Sequence, residues 1–372
     1  MRQRILVVGG TGPTGIPLVR GLVARGYGVT IAHRGTHEST DTPPEVVHLH
    51  CDPYDEVSFV AALHDAARFD VAIVMYGRLR MVARALAGNV ERFLSVGGVP
   101  AYRGWMNPFT HSPLGLPVPT AEGAELSELA DEDEKGYRIV RTERAVFDLH
   151  PTAAHFRYPY VYGPQQLAPR EWCVVRRVLD QRRRIVVADG GLTLHHHGYT
   201  ENLAHALLLA VEQPDASAGT IFNCGDEEVL TIRQVIEICA TALEHEFEIV
   251  SMPYELAIPA RPMLTQPATT HRVLDLGALR SRLGYRDLVP ARHAVAETAK
   301  WLAAHPCAPG GTEEMVLTDP FDYASEDRLI DRWKDQMHAM RAIEYPSMPG
   351  FGLAYSGPGG RPRTNQHFED AP

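Results

Sequence analysis

The chain has 372 residues, with 36 lysines and arginines against 46 aspartates and glutamates, a formal charge of −10. That balance argues against a nucleic-acid backbone or an anionic membrane surface as the main partner. Hydrophobic residues make up 45% and charged residues 22%, the mix of a globular chain long enough for one large α/β unit or two domains.

Residues 4–8 (Arg-Ile-Leu-Val-Val) form a short apolar run suited to a strand covered on both faces. A glycine-rich turn occupies 9–15, and apolar residues recur at helical spacing over 16–24. Further strands are predicted at 29–32, 46–49, 71–75 and 92–96, with helices around 57–67 and 79–87. This alternation predicts a parallel sheet with helices on both faces, an α/β doubly wound fold. No run approaches the ~20 apolar residues of a membrane span. Residues 1–10 have no signal-peptide layout. The five cysteines are scattered without a C-x-x-C pair, which fits reduced thiols in the cytoplasm and gives no metal site.

Gly9, Gly12 and Gly15 lie between a predicted strand and a predicted helix, the setting of a dinucleotide-binding turn. Gly9 permits the tight turn, Gly12 lets backbone approach a pyrophosphate, and Gly15 lets helix and strand pack closely. The free N–H groups at the helix start then hold the phosphates. The second strand ends in His33-Arg34, with no acid until Glu38. An acid there suits the ribose 2′-OH of NAD and an arginine suits a 2′-phosphate, so Arg34 favours NADP(H) over NAD(H).

Later motifs extend the pattern: Arg157-Tyr158-Pro159-Tyr160-Val161-Tyr162-Gly163-Pro164, then Ile221-Phe222-Asn223-Cys224-Gly225 followed by Leu230-Thr231 and a helix at 232–243. Leu274-Asp275, Leu283-Gly284-Tyr285 and Trp301 complete it. Over about residues 1–303 the chain resembles the extended short-chain dehydrogenase/reductases, the NAD-dependent epimerase/dehydratase family. Within that family it resembles the branch containing chloroplast stem-loop-binding proteins.

The resemblance implies a Rossmann-type sheet over 1–165, rejoined by 195–225. A smaller, interleaved substrate subdomain takes 166–194 and 226–305, and 306–372 form a partly extended or disordered C-terminal extension. It places Gly9, Gly12, Pro13, Thr14 and Gly15 at the pyrophosphate and Arg34 at the 2′-phosphate. Asp52 and Pro53 border the adenine, and Tyr76 and Gly77 the adjoining ribose. Val96 and Gly97 flank the nicotinamide, with Pro159, Tyr160 and Val161 near its carboxamide.

The family's catalytic residues are a Ser or Thr after the fifth strand and a Tyr-x-x-x-Lys on the next long helix. The tyrosine transfers a proton and the lysine lowers its pKa. Here Gly98 takes the Ser/Thr position and Ser95 lies too early, inside the strand. The helix allows two registers. One reads Tyr137-x-x-x-Arg141; the other, favoured by helical phase, puts Lys135 at the tyrosine and Ile139 at the lysine. Either leaves the triad incomplete, so the acid/base candidates are Tyr137, Lys135 and Tyr102.

His195-His196-His197 replace an Arg-Asp-Phe whose arginine helps bind the diphosphate of nucleotide sugars, which counts against such a substrate. On a strand, His195 and His197 share one side and His196 takes the other. Residues 102–120 form an aromatic, proline-rich loop, so Arg103, Trp105, His195 and His197 are the substrate-binding candidates. The lining suits a small organic, aromatic or apolar substrate.

The function expected is an NADP(H)-dependent enzyme acting on a hydroxyl or carbonyl group. The alternatives are a redox-neutral lyase or epimerase using the cofactor transiently, and a non-catalytic NAD(P)- or RNA-binding protein. The amphipathic stretch 325–343 either packs back on the body or makes a homodimer contact.

Overall fold

Strand β1 (Arg4–Val8) shows how the sheet comes to be covered on both faces. Ile5 and Val7 enter one apolar cluster, Leu6 and Val8 the other, and all four are fully buried. This is the alternation that a pleated strand imposes. The computed structural model describes residues 2–36, 39–66, 68–75 and 77–346, and the backbone of 352–353 and 363–364.

The first half alternates strands and helices as predicted. After β1 come α1 (Gly15–Ala24), β2 (Gly28–His33), β3 (Val47–His50), α2 (Glu56–Asp65), β4 (Val71–Val74), α3 (Leu79–Leu86) and β5 (Arg92–Gly98). Helix α4 (Glu134–Leu149) leads to β6 (Ala154–Tyr158), β7 (Tyr160–Tyr162), α5 (Trp172–Leu179), β8 (Arg184–Ala188) and β9 (His197–Tyr199). Then follow α6 (Thr200–Glu212), α7 (Pro214–Ser217), β10 (Thr220–Asn223), α8 (Ile232–Ala242) and β11 (Glu248–Met252). The later helices are α9 (Arg261–Leu264), α10 (Gly277–Leu283), α11 (Ala291–Ala304), α12 (Thr312–Leu317) and α13 (Tyr323–Arg341).

The main sheet runs β10-β6-β5-β4-β1-β2-β3, with every neighbouring pair parallel. It is a doubly wound, Rossmann-type sheet. Leu18 and Leu22 of α1 and Leu203 and Leu207 of α6 cover one face; Phe59 of α2, Val82 and Leu86 of α3 and Val146 of α4 cover the other. Each such side chain contributes about 1.5–3 kcal/mol on burial. Strand order reverses between β1 and β4, and ligands bind at the carboxyl ends of strands beside such a reversal. Two small parallel ladders, β7–β9 and β8–β11, stand apart from the main sheet.

The chain divides into two units, Met1–Phe321 and Asp322–Pro372. Residues 306–321 therefore fold with the first unit instead of opening the extension. Side-chain bonds anchor them: Trp172 Nε1 donates to Glu314 Oε1 at 2.9 Å, and Arg177 reaches both oxygens of Asp319 at 2.6 and 3.3 Å. In the second unit, Asp322 caps α13 by accepting from the Ser325 amide, and β12 (Gly352–Leu353) pairs antiparallel with β13 (Arg363–Thr364). Most of 344–372 lies outside the described residues. Among the described residues no helix is long and apolar enough to cross a membrane.

Candidate active site

The glycine turn closes tightly against the start of α1. Gly9 has φ +93°, in the left-handed region that favours glycine. A Cβ on Gly15 would fall 2.6 Å from the Gly10 carbonyl carbon and 2.7 Å from the Gly9 oxygen, so the start of α1 rests directly on the turn. Thr14, the N-cap of α1, makes no side-chain capping bond. The first amides of that helix thus lack a side-chain cap, as an anion-binding terminus requires.

A cavity of about 310 Å³ opens here, lined by Gly9, Thr11, Gly12 and Pro13 and by His33, Arg34, Gly35 and Thr36 at the end of β2. Arg34 is exposed within it. The lining thus combines glycine-turn backbone with the Arg34 guanidinium.

Asp52 and Pro53 form the turn after β3, where Asp52 Oδ1 accepts from the Tyr54 amide at 2.9 Å. Gly77 has φ +91°, and a Cβ there would meet Pro53 at 2.8 Å, so the turns after β3 and β4 touch. Tyr76 lies outside the described residues.

Beside Arg34 the structure shows a cluster that sequence reading assigned no role. His33 pairs with His50 across β2–β3, and His48 lies two residues earlier on the same face. The three rings offer nitrogens within 4.8 Å of one another. His33 Nε2 and His48 Nδ1 share a hydrogen bond of 2.8 Å, while His33 Nδ1 accepts from the Gly35 amide at 3.2 Å. Both nitrogens of His33 are engaged, so the trio is wired as a hydrogen-bond network and not as a preset metal-ligand set.

A second cavity, about 480 Å³, lies at the carboxyl ends of β5 and β6. Its walls include Val96, Gly97 and Gly98 of β5, Tyr158, Pro159, Tyr160 and Val161, and Trp105 and Met106 from the aromatic loop. Lys135 and Ile139 of α4, His195, Thr265 and Arg272 complete it.

Helix α4 presents the two registers on different faces. Lys135 and Ile139, one turn apart, both line the cavity. Tyr137 and Arg141 share a different face, where Arg141 Nη1 donates to the Tyr137 hydroxyl at 2.9 Å and its guanidinium covers the ring. Tyr137 is thus not a cavity residue, because its place in the helical period turns it away.

Tyr102 is also corrected. It is fully buried beside Trp105, its hydroxyl donates to Asn223 Oδ1 at 2.6 Å, and Arg157 covers its ring. Burial raises its pKa despite the Arg157 charge, so it is a core residue with no free proton for substrate. Arg103 is corrected as well: Glu132 and Glu125 hold its guanidinium at 2.8 and 3.1 Å. Both partners come from the acidic stretch 122–134, and Arg103 is absent from the cavity wall.

The three histidines alternate as a strand requires. His196 faces away, with Nε2 bonded to the Asp226 carbonyl and Nδ1 accepting from the Leu274 amide. His195 and His197 share the other side with ring centroids 5.1 Å apart, but only His195 lines the cavity. His197 lies behind it against Tyr160 and Tyr162. Arg170 Nη1 donates to His195 Nδ1 at 2.8 Å, which leaves the imidazole proton on Nε2. Burial first, then the Arg170 charge, hold the His195 pKa well below its usual value, so the ring is neutral near pH 7.

Ser95 is fully buried with Oγ 2.8 Å from His155 Nδ1, and His155 Nε2 is 3.3 Å from Glu143 Oε1. Gly97 packs on that histidine so closely that a Cβ would come within 2.5 Å of its Nε2. Ser95 and His155 link β5 to β6, while His155 and Glu143 also line a separate cavity of about 610 Å³ together with Gly97, Arg138 and Thr142.

With the geometry in place, comparison with known proteins is direct. Residues 5–225 match the NAD dependent epimerase/dehydratase family model. The chain belongs to the NAD-dependent epimerase/dehydratase family.

The sequence is 26% identical over 257 residues to the chloroplast stem-loop binding protein of 41 kDa b from Arabidopsis thaliana, covering 64% of this chain and 63% of that relative's length. The fold is similar to UDP-glucose 4-epimerase from Thermotoga maritima, solved with UDP-glucose: TM-score 0.64, 17% identity, 82% of this chain and 99% of that one. It is also similar to UDP-glucose 4-epimerase from Bifidobacterium longum in complex with NAD+ and UDP, with TM-score 0.62, 15% identity, and 82% and 99% coverage.

Sequence reasoning missed Arg170 and Arg272. Both are arginines in loop segments, and nothing local in the sequence marks them as buried.

Proposed function

We propose that this epimerase/dehydratase family member is an NADP(H)-dependent enzyme acting on a hydroxyl or carbonyl carbon of a small organic molecule held in the 480 Å³ cavity. One observation carries the reading: Lys135 lines the cavity together with Val96, Gly97, Pro159, Tyr160 and Val161, whereas Tyr137 and Tyr102 are engaged elsewhere. The glycine turn and the amides of α1 hold the pyrophosphate, and Arg34 holds the 2′-phosphate. When bound, the cofactor supplies or accepts a hydride.

The chain's own residues handle the proton and the orientation. Lys135, read at the family's tyrosine position, stabilises the substrate oxygen as it gains charge: as the ammonium it donates a proton in the reduction direction, and as the neutral amine it takes the hydroxyl proton in the oxidation direction. Ile139 takes the position of the lysine of the usual pair, an apolar side chain in place of a cation one turn along from Lys135. His195, neutral with its proton on Nε2, is a fixed hydrogen-bond donor on the same wall. Trp105 and Met106 supply apolar cover over the carbon skeleton.

The test begins with the purified protein. Denaturing it and identifying the released nucleotide, followed by titration with NADP+ and NAD+, reports the cofactor. Tight NADP+ binding with weaker NAD+ binding is the expected result. Absence of binding by either nucleotide overturns the reading.

A further inference from the structure

Among the described residues four arginine side chains are nearly or fully buried, and they divide into two kinds. Arg157 forms a two-pronged pair with Glu143, and Arg177 forms one with Asp319. Arg170 and Arg272, 0% and 2% exposed, make no ion pair among the described residues. Nε and Nη2 of both guanidiniums have no hydrogen-bond partner. The remaining nitrogen of Arg170 reaches His195, and that of Arg272 comes only within 3.5 Å of the Thr265 carbonyl. Buried cations are paired or supplied with an anion, because desolvating an unpaired charge costs several kcal/mol.

The two lie together. Arg272 and His195 are bridge partners, with the His196 amide bonded to the Arg272 carbonyl and the Arg272 amide to the Leu194 carbonyl. Both side chains line the cavity, with Arg170 behind His195 and stacked on Tyr160. Burial, then the Arg170 charge, push the Arg272 pKa down to about 9. Glu171 adjoins Arg170 but makes no ion pair with it; its Oε2 is buried without a partner, and burial raises its pKa.

We infer that the inner wall of this cavity is an oxyanion-binding site in which Arg272 grips a carboxylate or phosphate group of the substrate. Arg170 positions His195 beside it and adds its charge. The unused N–H groups match the fork that such anions accept. The substrate is then a small hydroxy or oxo compound bearing an acidic group. This rests on the reading of the cavity as the substrate site.

The experiment measures thermal stability and anion affinity of the full chain in an Arg34→Ser background, so that the cofactor phosphate pocket does not respond. The probes are inorganic phosphate, phosphonoacetate, acetate and malonate, each against chloride at matched ionic strength. At least one oxyanion is expected to raise the melting temperature, and Arg272→Met to weaken its binding by at least about tenfold. Without ligand, Arg272→Met is expected to melt higher than its parent, since it removes an unpaired buried cation. Arg170→Gln gives a second variant should Arg272→Met fail to fold.

Response to phosphate and phosphonoacetate alone assigns a phosphoryl group; response to acetate and malonate assigns a carboxylate. No response beyond chloride, or an equal response in Arg272→Met and Arg170→Gln, overturns the site. NADP+ titration of the chain with Arg34 intact separates the two readings. Cofactor binding without an anion response removes the oxyanion site alone, and an anion response without cofactor binding removes the cofactor reading alone.

Discussion

Glu143 grips Arg157 through two hydrogen bonds, Nε to Oε1 at 2.9 Å and Nη2 to Oε2 at 2.6 Å, with both side chains nearly fully buried. The pair ties α4 to β6 just behind Gly97, and so sets where the cavity-facing turn of α4 stands. Removing one member of such a pair strands the other charge in the interior. Glu143→Gln is therefore expected to cost about 3–5 kcal/mol, read from urea unfolding.

The same pair has a pH signature. Burial alone would raise the Glu143 pKa, but the bonds from Arg157 and His155 outweigh it and hold the pKa below its usual value. A depressed carboxylate contributes stability above its unfolded pKa, about 4.3, and loses it as the pH falls through the folded value. Acidification should therefore cost the wild type stability that Glu143→Gln has already lost. A variant within about 1 kcal/mol of wild type at pH 7 would contradict the bidentate pair.

The register of α4 makes a sharper prediction. Lys135→Met should lower turnover by about 10²–10⁴, the range for losing a positioned acid. NADP+ affinity should be unchanged, because Lys135 lines the substrate cavity and not the glycine pocket. Tyr137→Phe, which removes a hydroxyl bonded only to Arg141, should leave turnover within a factor of about two. The opposite ranking, with Tyr137 essential and Lys135 dispensable, would return the catalytic role to the tyrosine register.

What the sequence made legible follows from how local each signal is. Buried parallel strands read as apolar runs between glycine and polar punctuation, so β1, β2, β4 and β5 fall within about two residues of expectation. The glycine turn is a backbone requirement written at fixed spacing, and a Cβ on Gly15 would meet the Gly10 carbonyl carbon at 2.6 Å. Helical period groups Lys135 with Ile139 and Tyr137 with Arg141, but it does not say which face meets a cavity.

Long-range partners carry no such signature. Tyr102 looked available because its partner, Asn223, lies 121 residues downstream. Arg170, His195 and Arg272 come from three separate segments joined by one bridge, and His33, His48 and His50 meet only through the β2–β3 register.

Cofactor choice is testable in the same terms. Arg34→Ser removes the guanidinium from the pocket at the end of β2. Loss of a charge-assisted contact of about 1.5–3 kcal/mol corresponds to roughly 10- to 100-fold weaker NADP+ binding, with NAD+ little changed. Gly15→Ala behaves differently, since its methyl would collide with turn backbone at 2.6 Å and displace α1 from the phosphates. It should weaken both nucleotides together. Calorimetric titration of the two variants with both nucleotides checks this, and equal losses of NADP+ and NAD+ affinity in Arg34→Ser would remove Arg34 from 2′-phosphate recognition.

Asp226 sets a pH dependence of the opposite sign to that of Glu143. Its Oδ1 accepts from the Tyr199 amide and from Asn202 Nδ2 at 3.0 and 2.9 Å, and its Oδ2 from the Tyr162 hydroxyl at 2.7 Å. Burial outweighs those bonds and pushes its pKa up to about 7. A carboxyl whose folded pKa is raised binds its proton more tightly in the native state, so its contribution is full below the unfolded value of about 3.9 and is lost as the pH rises towards 7. The shift corresponds to a loss on the order of 4 kcal/mol. Asp226→Asn keeps the Oδ1 acceptor and turns the other atom into a donor to the Tyr162 oxygen, so it should fold. Between pH 5 and pH 8.5 the wild type should lose stability relative to this variant, measured by urea unfolding at both pH values. Parallel pH profiles would mean that Asp226 stays ionised throughout, held by its three hydrogen bonds against the cost of burial.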